Sequence, residues 1–227
     1  MNSDTSLQLD GVTVRYGHRV ALEAVSGVFE PGSLTAVVGD NGAGKSSLLM
    51  AMAGTVRLAG GAVICAARRQ GRLALLPQLA TIDSTFPLTV AELVALGGWR
   101  DFGAFRAASA ALRARAAAAA ATVGLAERLY RRVGELSAGE LQRALFARLI
   151  LQDAAVILLD EPFTAVDAGT TAALIHQLRR WHEEGRTVIA VLHDLAVVRA
   201  YFPQTLVLAQ RCLAWGATEV VLPAIAA

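Results

Sequence analysis

An α/β fold with a mostly parallel sheet, a small antiparallel β subdomain and an inserted α-helical subdomain is predicted by three features of the 227-residue sequence. Apolar runs at Leu34–Val38, Ala155–Leu159 and Thr187–Leu192 each lead into glycine or polar residues, the pattern of strands buried on both faces. The stretch Gly39-Asp-Asn-Gly-Ala-Gly-Lys45-Ser46 stands between the first run and the helix-like Ser47–Ala53, giving the order strand, glycine loop, helix. Nothing from Ala91 to Arg132 alternates like a strand, so that region reads as a helical insert. The expected division is a single domain over 1–227, with a core and β subdomain from 1–85 and 151–227 and the insert at 86–150.

Composition narrows the class. Hydrophobic content is 55 % and mean hydropathy +0.47, yet charges interrupt every apolar run before the ~18 residues needed to span a bilayer. Arg148 and Asp153 break the run from Ala144 to Leu159. The amino end lacks a basic start and an apolar stretch, so a cytosolic address is expected. Cys65 and Cys212 lie far apart without metal-ligand spacing and read as free thiols. A net charge of +2 is too small to argue for a nucleic-acid partner. The basic, alanine-interleaved stretch Arg100–Arg132 reads as a solvated helix face.

In chain order, Leu7–Leu9, Val12–Val14 and Val25–Phe29 are short alternating segments separated by glycines, suggesting a small antiparallel sheet that Val56–Gln70 completes. Tyr16 sits at a strand end, where its ring could stack on a base. Glycines at 39, 42 and 44 let successive backbone NH groups face phosphate oxygens, with the helix amino end adding its dipole. Lys45 would reach the terminal phosphates and Ser46 would hold magnesium. Of the 21 lysine and arginine residues Lys45 is the one lysine, a point charge kept where a planar fork is not wanted. The alternative is a glycine-rich turn with an exposed lysine.

Further on, Leu73–Gln78 is an apolar strand ending in an amide that could contact magnesium or a water. Thr89 and Glu92 form a capping-box pattern, as do Ser137 and Glu140, and Ala104–Val123 is an alanine-rich helix. A helical stripe follows at 141, 145, 146, 149 and 150. Two carboxylates, Asp160 and Glu161, close the buried strand from Ala155, a costly placement unless a cation or a reacting water uses them. Asp160 would hold magnesium through water and Glu161 would take a proton from the attacking water. Asp167 could cap a helix from Ala168 to Glu184. Among four histidines only His193, at the end of the strand from Thr187, reads as functional; His18, His176 and His182 look like surface or helix-face residues. A strand at Thr205–Leu208 is the last element expected, with no appended regulatory domain.

The ordered set of Tyr16, the loop 39–46, Gln78, Leu136-Ser-Ala-Gly-Glu140, Asp160-Glu161, Asp167 and His193 resembles the ATP-binding subunit of an ABC transporter, a P-loop NTPase core. The resemblance implies ATP and Mg2+ as cofactors. It implies ATP contacts from Tyr16, Gly39, Asn41, Gly42, Gly44, Lys45, Ser46 and Ser47, magnesium held by Ser46, Gln78 and Asp160, and catalysis by Glu161, His193 and Gln78. It also implies a head-to-tail homodimer in which Leu136, Ser137, Ala138, Gly139 and Glu140 face the partner's ATP, with Asp167 in the connecting loop. An integral membrane permease would dock on the insert and the Gln78 loop, placing the subunit on the cytoplasmic face of the cell membrane. The family usually has glycine where Ala138 stands and glutamine where Glu140 stands, which predicts slower or partner-dependent hydrolysis. Leu76–Val90, above all Asp83–Val90, together with Glu161–Asp167 and His193–Phe202, is similar to the ATPases of bacterial zinc and manganese importers. That implies a metal permease and a periplasmic or tethered metal-binding protein, zinc ahead of manganese. The alternatives are an importer of iron chelates or vitamins, a non-transport ABC switch, and a P-loop kinase, which leaves Leu136–Glu140 and His193 without a purpose.

Overall fold

The computed structural model describes residues 5–79, 87–103 and 107–226. Of Asp83–Val90, which carries most of the importer resemblance, residues 83–86 lie outside them. The chain divides into two compact units, one made of Met1–Pro77, Ala155–Pro162 and Gln177–Ala227, the other of Gln78–Ala154 and Phe163–His176.

In the first unit, β1 (Leu7–Tyr16) and β2 (Arg19–Phe29) form an antiparallel hairpin; β3 (Leu34–Val38) leads through the glycine loop into α1 (Lys45–Ala53). The strand β4 (Gly60–Ile64) then pairs with β1, completing a three-stranded sheet of order β2-β1-β4. The short segments expected at the amino end are thus two long strands, kept continuous by register shifts near Leu9, Val12 and Val14. After α2 (Ala66–Arg69), β5 (Leu73–Leu76) opens the larger sheet, which is completed by β6 (Val156–Asp160), β7 (Thr187–Val191), β8 (Gln204–Ala209) and β9 (Arg211–Ala217). Its order is β5-β6-β7-β3-β8-β9, parallel except for β9. Every residue of β3, β6 and β7 is buried, which is why these strands read as unbroken apolar runs and not as alternations.

Register places the carboxyl ends together. Val191 pairs with both Asp160 and Val37, so the ends of β6, β7 and β3 lie in one row, and the residues that follow each strand crowd one rim. The two sheets of this unit are joined by Trp215, whose ring lies 4.5 Å from that of Phe29 at a tilt of 51° and fills the space over Gly27, where a Cβ would meet the indole at 2.2 Å.

The second unit is helical: α3 (Val90–Ala95), α4 (Trp99–Phe102), α5 (Ala110–Thr122) and α6 (Ala138–Gln152). α7 (Ala168–Glu183) begins in it. Both capping boxes form, at Thr89 with Glu92 and at Ser137 with Glu140. Of the helix expected over Ala104–Val123, residues 104–106 lie outside the described residues, and α5 starts at Ala110, where the Ser109 side chain accepts from the Leu112 amide and caps it. Alanine propensity alone does not mark a start. Two elements at the end of the chain, β9 and α9 (Thr218–Ala226), go beyond the last strand expected; α8 (Leu195–Tyr201) precedes β8.

Candidate functional site

The glycine loop needs its glycines for measurable reasons. A Cβ on Gly39 would stand 2.1 Å from the Leu208 carbonyl oxygen, and one on Gly44 2.3 Å from that of Ala21. Gly42 and Gly44 also take φ of 83° and 95°, where L residues are strained. Gly44 caps α1 without a side-chain partner, and the helix has no acid in its first turn, so its leading amides stay available to an anion. The loop is pinned from outside: Gln210 donates its amide to the Ala43 carbonyl at 2.8 Å.

Lys45 is 6 % exposed and donates to the carbonyl oxygens of Gly39 at 2.7 Å and Asp40 at 2.8 Å, folded against its own loop. Burial lowers its pKa from the ordinary 10.5, while the charges of Glu161, Asp160 and Asp40 oppose that shift.

Asp160 is 3 % exposed and hydrogen-bonded to Ser46. Its other oxygen, Oδ1, is buried with no hydrogen-bond partner. Burial raises its pKa above the ordinary 3.8, Glu161 adds to the rise, and Ser46, Lys45 and His193 oppose it. A buried carboxylate with an unused oxygen beside a serine hydroxyl suits a hard, oxygen-seeking cation such as Mg2+. Asp160 and Ser46 would hold it.

Glu161 follows with φ of 51°, a left-handed conformation for a non-glycine residue, and its Oε1 lies 2.8 Å from His193 Nε2. His193 is half exposed at the end of β7, so the pair opens toward solvent, where a water could reach it. Tyr16, at the tip of the β1–β2 hairpin, is exposed and points its hydroxyl at Met50 Sδ, 4.0 Å away on α1. A crevice of about 520 Å³ beside the loop is lined by Asp40, Asn41, His193, Leu195 and Leu213 among others.

Thus Lys45, Ser46, Asp160, Glu161 and His193 meet at one rim of the first unit, as the sequence suggested. Gln78 and Asp167 belong to the second unit. Gln78 is half-buried, and Asp167 caps α7 by accepting from the amide and hydroxyl of Thr170 at 2.9 and 2.7 Å. In that unit too, Ser137 accepts from the Glu140 amide, and Glu140 turns back to accept from the Ser137 amide at 2.9 Å while pairing with Arg128 at 3.3 Å. The Ser137 amide, with help from Arg128 and Arg131, holds the Glu140 carboxyl below its ordinary 4.5. Gly139 is tight: a Cβ there would sit 2.9 Å from the Ala165 carbonyl oxygen. Sequence reasoning missed Arg128 and the Asp40 carbonyl, whose roles depend on folding and have no sequence pattern.

The chain is similar to known proteins in sequence and in fold. The family described as ABC transporter matches residues 22–164. The manganese transport system ATP-binding protein MntA of Synechocystis sp. is 37 % identical over 96 % of this chain and 86 % of its own length. The zinc transport system ATP-binding protein TroB of Treponema pallidum is 37 % identical over 93 % of this chain and 81 % of its own. Among solved structures, an inward-facing putative metal-chelate type ABC transporter superposes with a TM-score of 0.81 at 25 % identity, covering 96 % of this chain and 85 % of that one. A nucleotide-free ATP-binding cassette from an ABC transporter reaches 0.83 at 19 % identity, covering 97 % and 95 %, a likeness of fold. With the family match covering more than half of the chain and relatives matching nearly all of it, the protein belongs to the ABC transporter family and is an ATP-hydrolysing enzyme of that family.

Proposed function

We propose that the chain is the ATPase subunit of an ABC importer of divalent metal ions, zinc ahead of manganese. The observation that carries the reading is the near full-length similarity to ATP-binding proteins named for manganese and zinc transport. Its partners are then a second copy of the chain, a membrane permease and, indirectly, a metal-binding protein. Docked on that permease, its place is the cytoplasmic face of the membrane. Among the described residues no helix is long and apolar enough to cross a membrane. The neighbour named as metal-chelate type supports an importer of chelates as the second reading.

In this reading the amides of the loop 39–46 and of α1 cradle the phosphates, and Lys45 leaves its two carbonyl partners for the terminal phosphate. Ser46 and Asp160 would hold magnesium, whose charge would offset that of the phosphates. Glu161 takes the proton from the attacking water as the bond to the leaving ADP breaks, and His193 holds the Glu161 carboxylate in aim. Tyr16 stacks on the base. Ser137–Glu140 and Asp167 complete the site of the partner copy. With Glu140 turned back into its own cap and held by Arg128, the carboxylate that replaces the family's glutamine is not free to face a phosphate, which supports activity despite the change.

The test is ATP hydrolysis by the subunit with its co-purifying membrane partner in lipid, with binding protein loaded with zinc, manganese or iron. Stimulation by the zinc-loaded form supports the assignment. Stimulation by manganese alone moves the cargo, and hydrolysis that no metal stimulates removes the metal reading in favour of chelates.

A further inference from the structure

We propose that Arg19 binds the phosphate chain of the nucleotide as a second cation at the loop served by Lys45; the inference rests on the reading of residues 39–46 as the nucleotide site. Tyr16 and Arg19 are register partners across the tight turn Gly17-His18, so their side chains leave the hairpin on the same face. One reaches toward α1, where Tyr16 Oη lies 4.0 Å from Met50 Sδ. The other reaches over the loop, where a Cβ on Gly42 would lie 3.5 Å from Arg19 Nη2. The hairpin tip therefore presents an aromatic ring and a guanidinium together, spaced along the first turns of the phosphate-binding element.

Charge gives the guanidinium a purpose there. Lys45 is the only cation within the loop, and Asp40, Asp160 and Glu161 all act on it electrostatically. The protein groups around the loop are thus net acidic, the wrong sign for a ligand carrying several negative charges. Three other exposed arginines are paired, Arg211 with Glu23, Arg128 with Glu140 and Arg180 with Glu184. Arg19 is exposed, and among the described residues its guanidinium has no hydrogen-bond or carboxylate partner. A free planar fork beside a glycine that leaves the backbone bare suits paired phosphate oxygens.

The test is the affinity of the full chain for a fluorescent ATP analogue, with ATP, ADP and adenosine as competitors, in wild type and in the variants R19A, R19K and K45A, each checked for an unchanged thermal unfolding temperature. The expected result is an R19A protein that binds ATP and ADP about tenfold more weakly, about 1.4 kcal/mol, with adenosine competition unchanged and with part of the loss recovered in R19K. In hydrolysis the loss appears mainly in KM. Unchanged ATP affinity in R19A with clear weakening in K45A overturns the role of Arg19 and leaves the loop reading intact. Equal weakening toward ATP and adenosine also overturns it, since Arg19 would then serve the Tyr16 platform and not the phosphates. If K45A also binds like wild type, the loop reading itself falls.

Discussion

Replacing Asp160 by Asn should stabilise the nucleotide-free protein while abolishing hydrolysis. The side chain is 3 % exposed, one oxygen has no partner, and the fold favours its neutral form even though Lys45 and His193 pull the other way. A buried polar atom without its hydrogen bond costs about 1–3 kcal/mol, more when charged. Asparagine keeps an acceptor for Ser46, removes the charge and leaves one amide edge unpaired, so a net gain of about 1 kcal/mol is expected. For a chain of this size that raises the unfolding temperature by about 2–4 °C. The sign with pH follows from the raised pKa. Between the ordinary 3.8 and the folded value the native state holds a proton that the unfolded state has lost, so wild-type stability falls as pH rises through that window. The gap between D160N and wild type should therefore be full at neutral pH and shrink as pH falls toward 3.8. Differential scanning calorimetry at several pH values, without nucleotide, measures it. Adding Mg2+ with ATP at about 100 times its Kd should then raise wild type by about 2.7 kcal/mol and D160N by much less. A D160N protein that melts no higher than wild type at neutral pH refutes the claim that this carboxylate is held at a cost for a cation.

Three more perturbations test other parts of the site. Glu161→Gln should leave ATP binding intact, cut turnover at least ~100-fold and trap a dimer on size-exclusion chromatography with ATP; hydrolysis at the normal rate removes Glu161 from proton transfer. Gly139→Ala puts a methyl 2.9 Å from the Ala165 carbonyl oxygen, so the start of α6 must shift. A cost of about 1–3 kcal/mol in urea unfolding is expected, and no loss would mean the backbone there yields freely. Glu140→Gln keeps an oxygen for the Ser137 amide and loses only the Arg128 pair, worth about 0–1 kcal/mol. Because Glu140 titrates below its ordinary 4.5, its cap in wild type weakens only as pH falls through that lowered value, and the variant should lose this acid dependence.

The parts of this fold that were legible in the sequence are those whose causes are local. A strand buried on both faces writes itself as an apolar run, as in β3, β6 and β7, and a capping box needs only residues three apart, as at Ser137 and Glu140. The hairpin of β8 and β9 shows the opposite case. Its turn is made by Gln210 at φ of 61°, without the glycine or asparagine that signals such a turn. The conformation is supported from elsewhere: the Gln210 amide donates to Ala43 in the glycine loop, and its carbonyl accepts from Glu23 in β2. A turn fixed by two distant segments leaves no mark in its own residues, so β9 stayed hidden. The tie also means that the last hairpin of the sheet braces the glycine loop.

The two acids at the end of β6 carry the same lesson into the chemistry. In sequence Asp160 and Glu161 are adjacent carboxylates, and only their order tells them apart. In the fold the strand ends between them. Asp160 keeps strand geometry and lies buried against Ser46, whereas Glu161 turns to φ of 51° and brings its carboxylate to His193 at 2.8 Å. A left-handed conformation costs a glutamate about 1–2 kcal/mol, which a glycine at the same place would not incur. The chain accepts that strain with a residue that has no conformational reason to be there. Strain held at a position whose side chain meets a histidine at the rim of the phosphate loop points to use of the carboxylate itself. The twist separates the pair into one group suited to a cation and another suited to a proton.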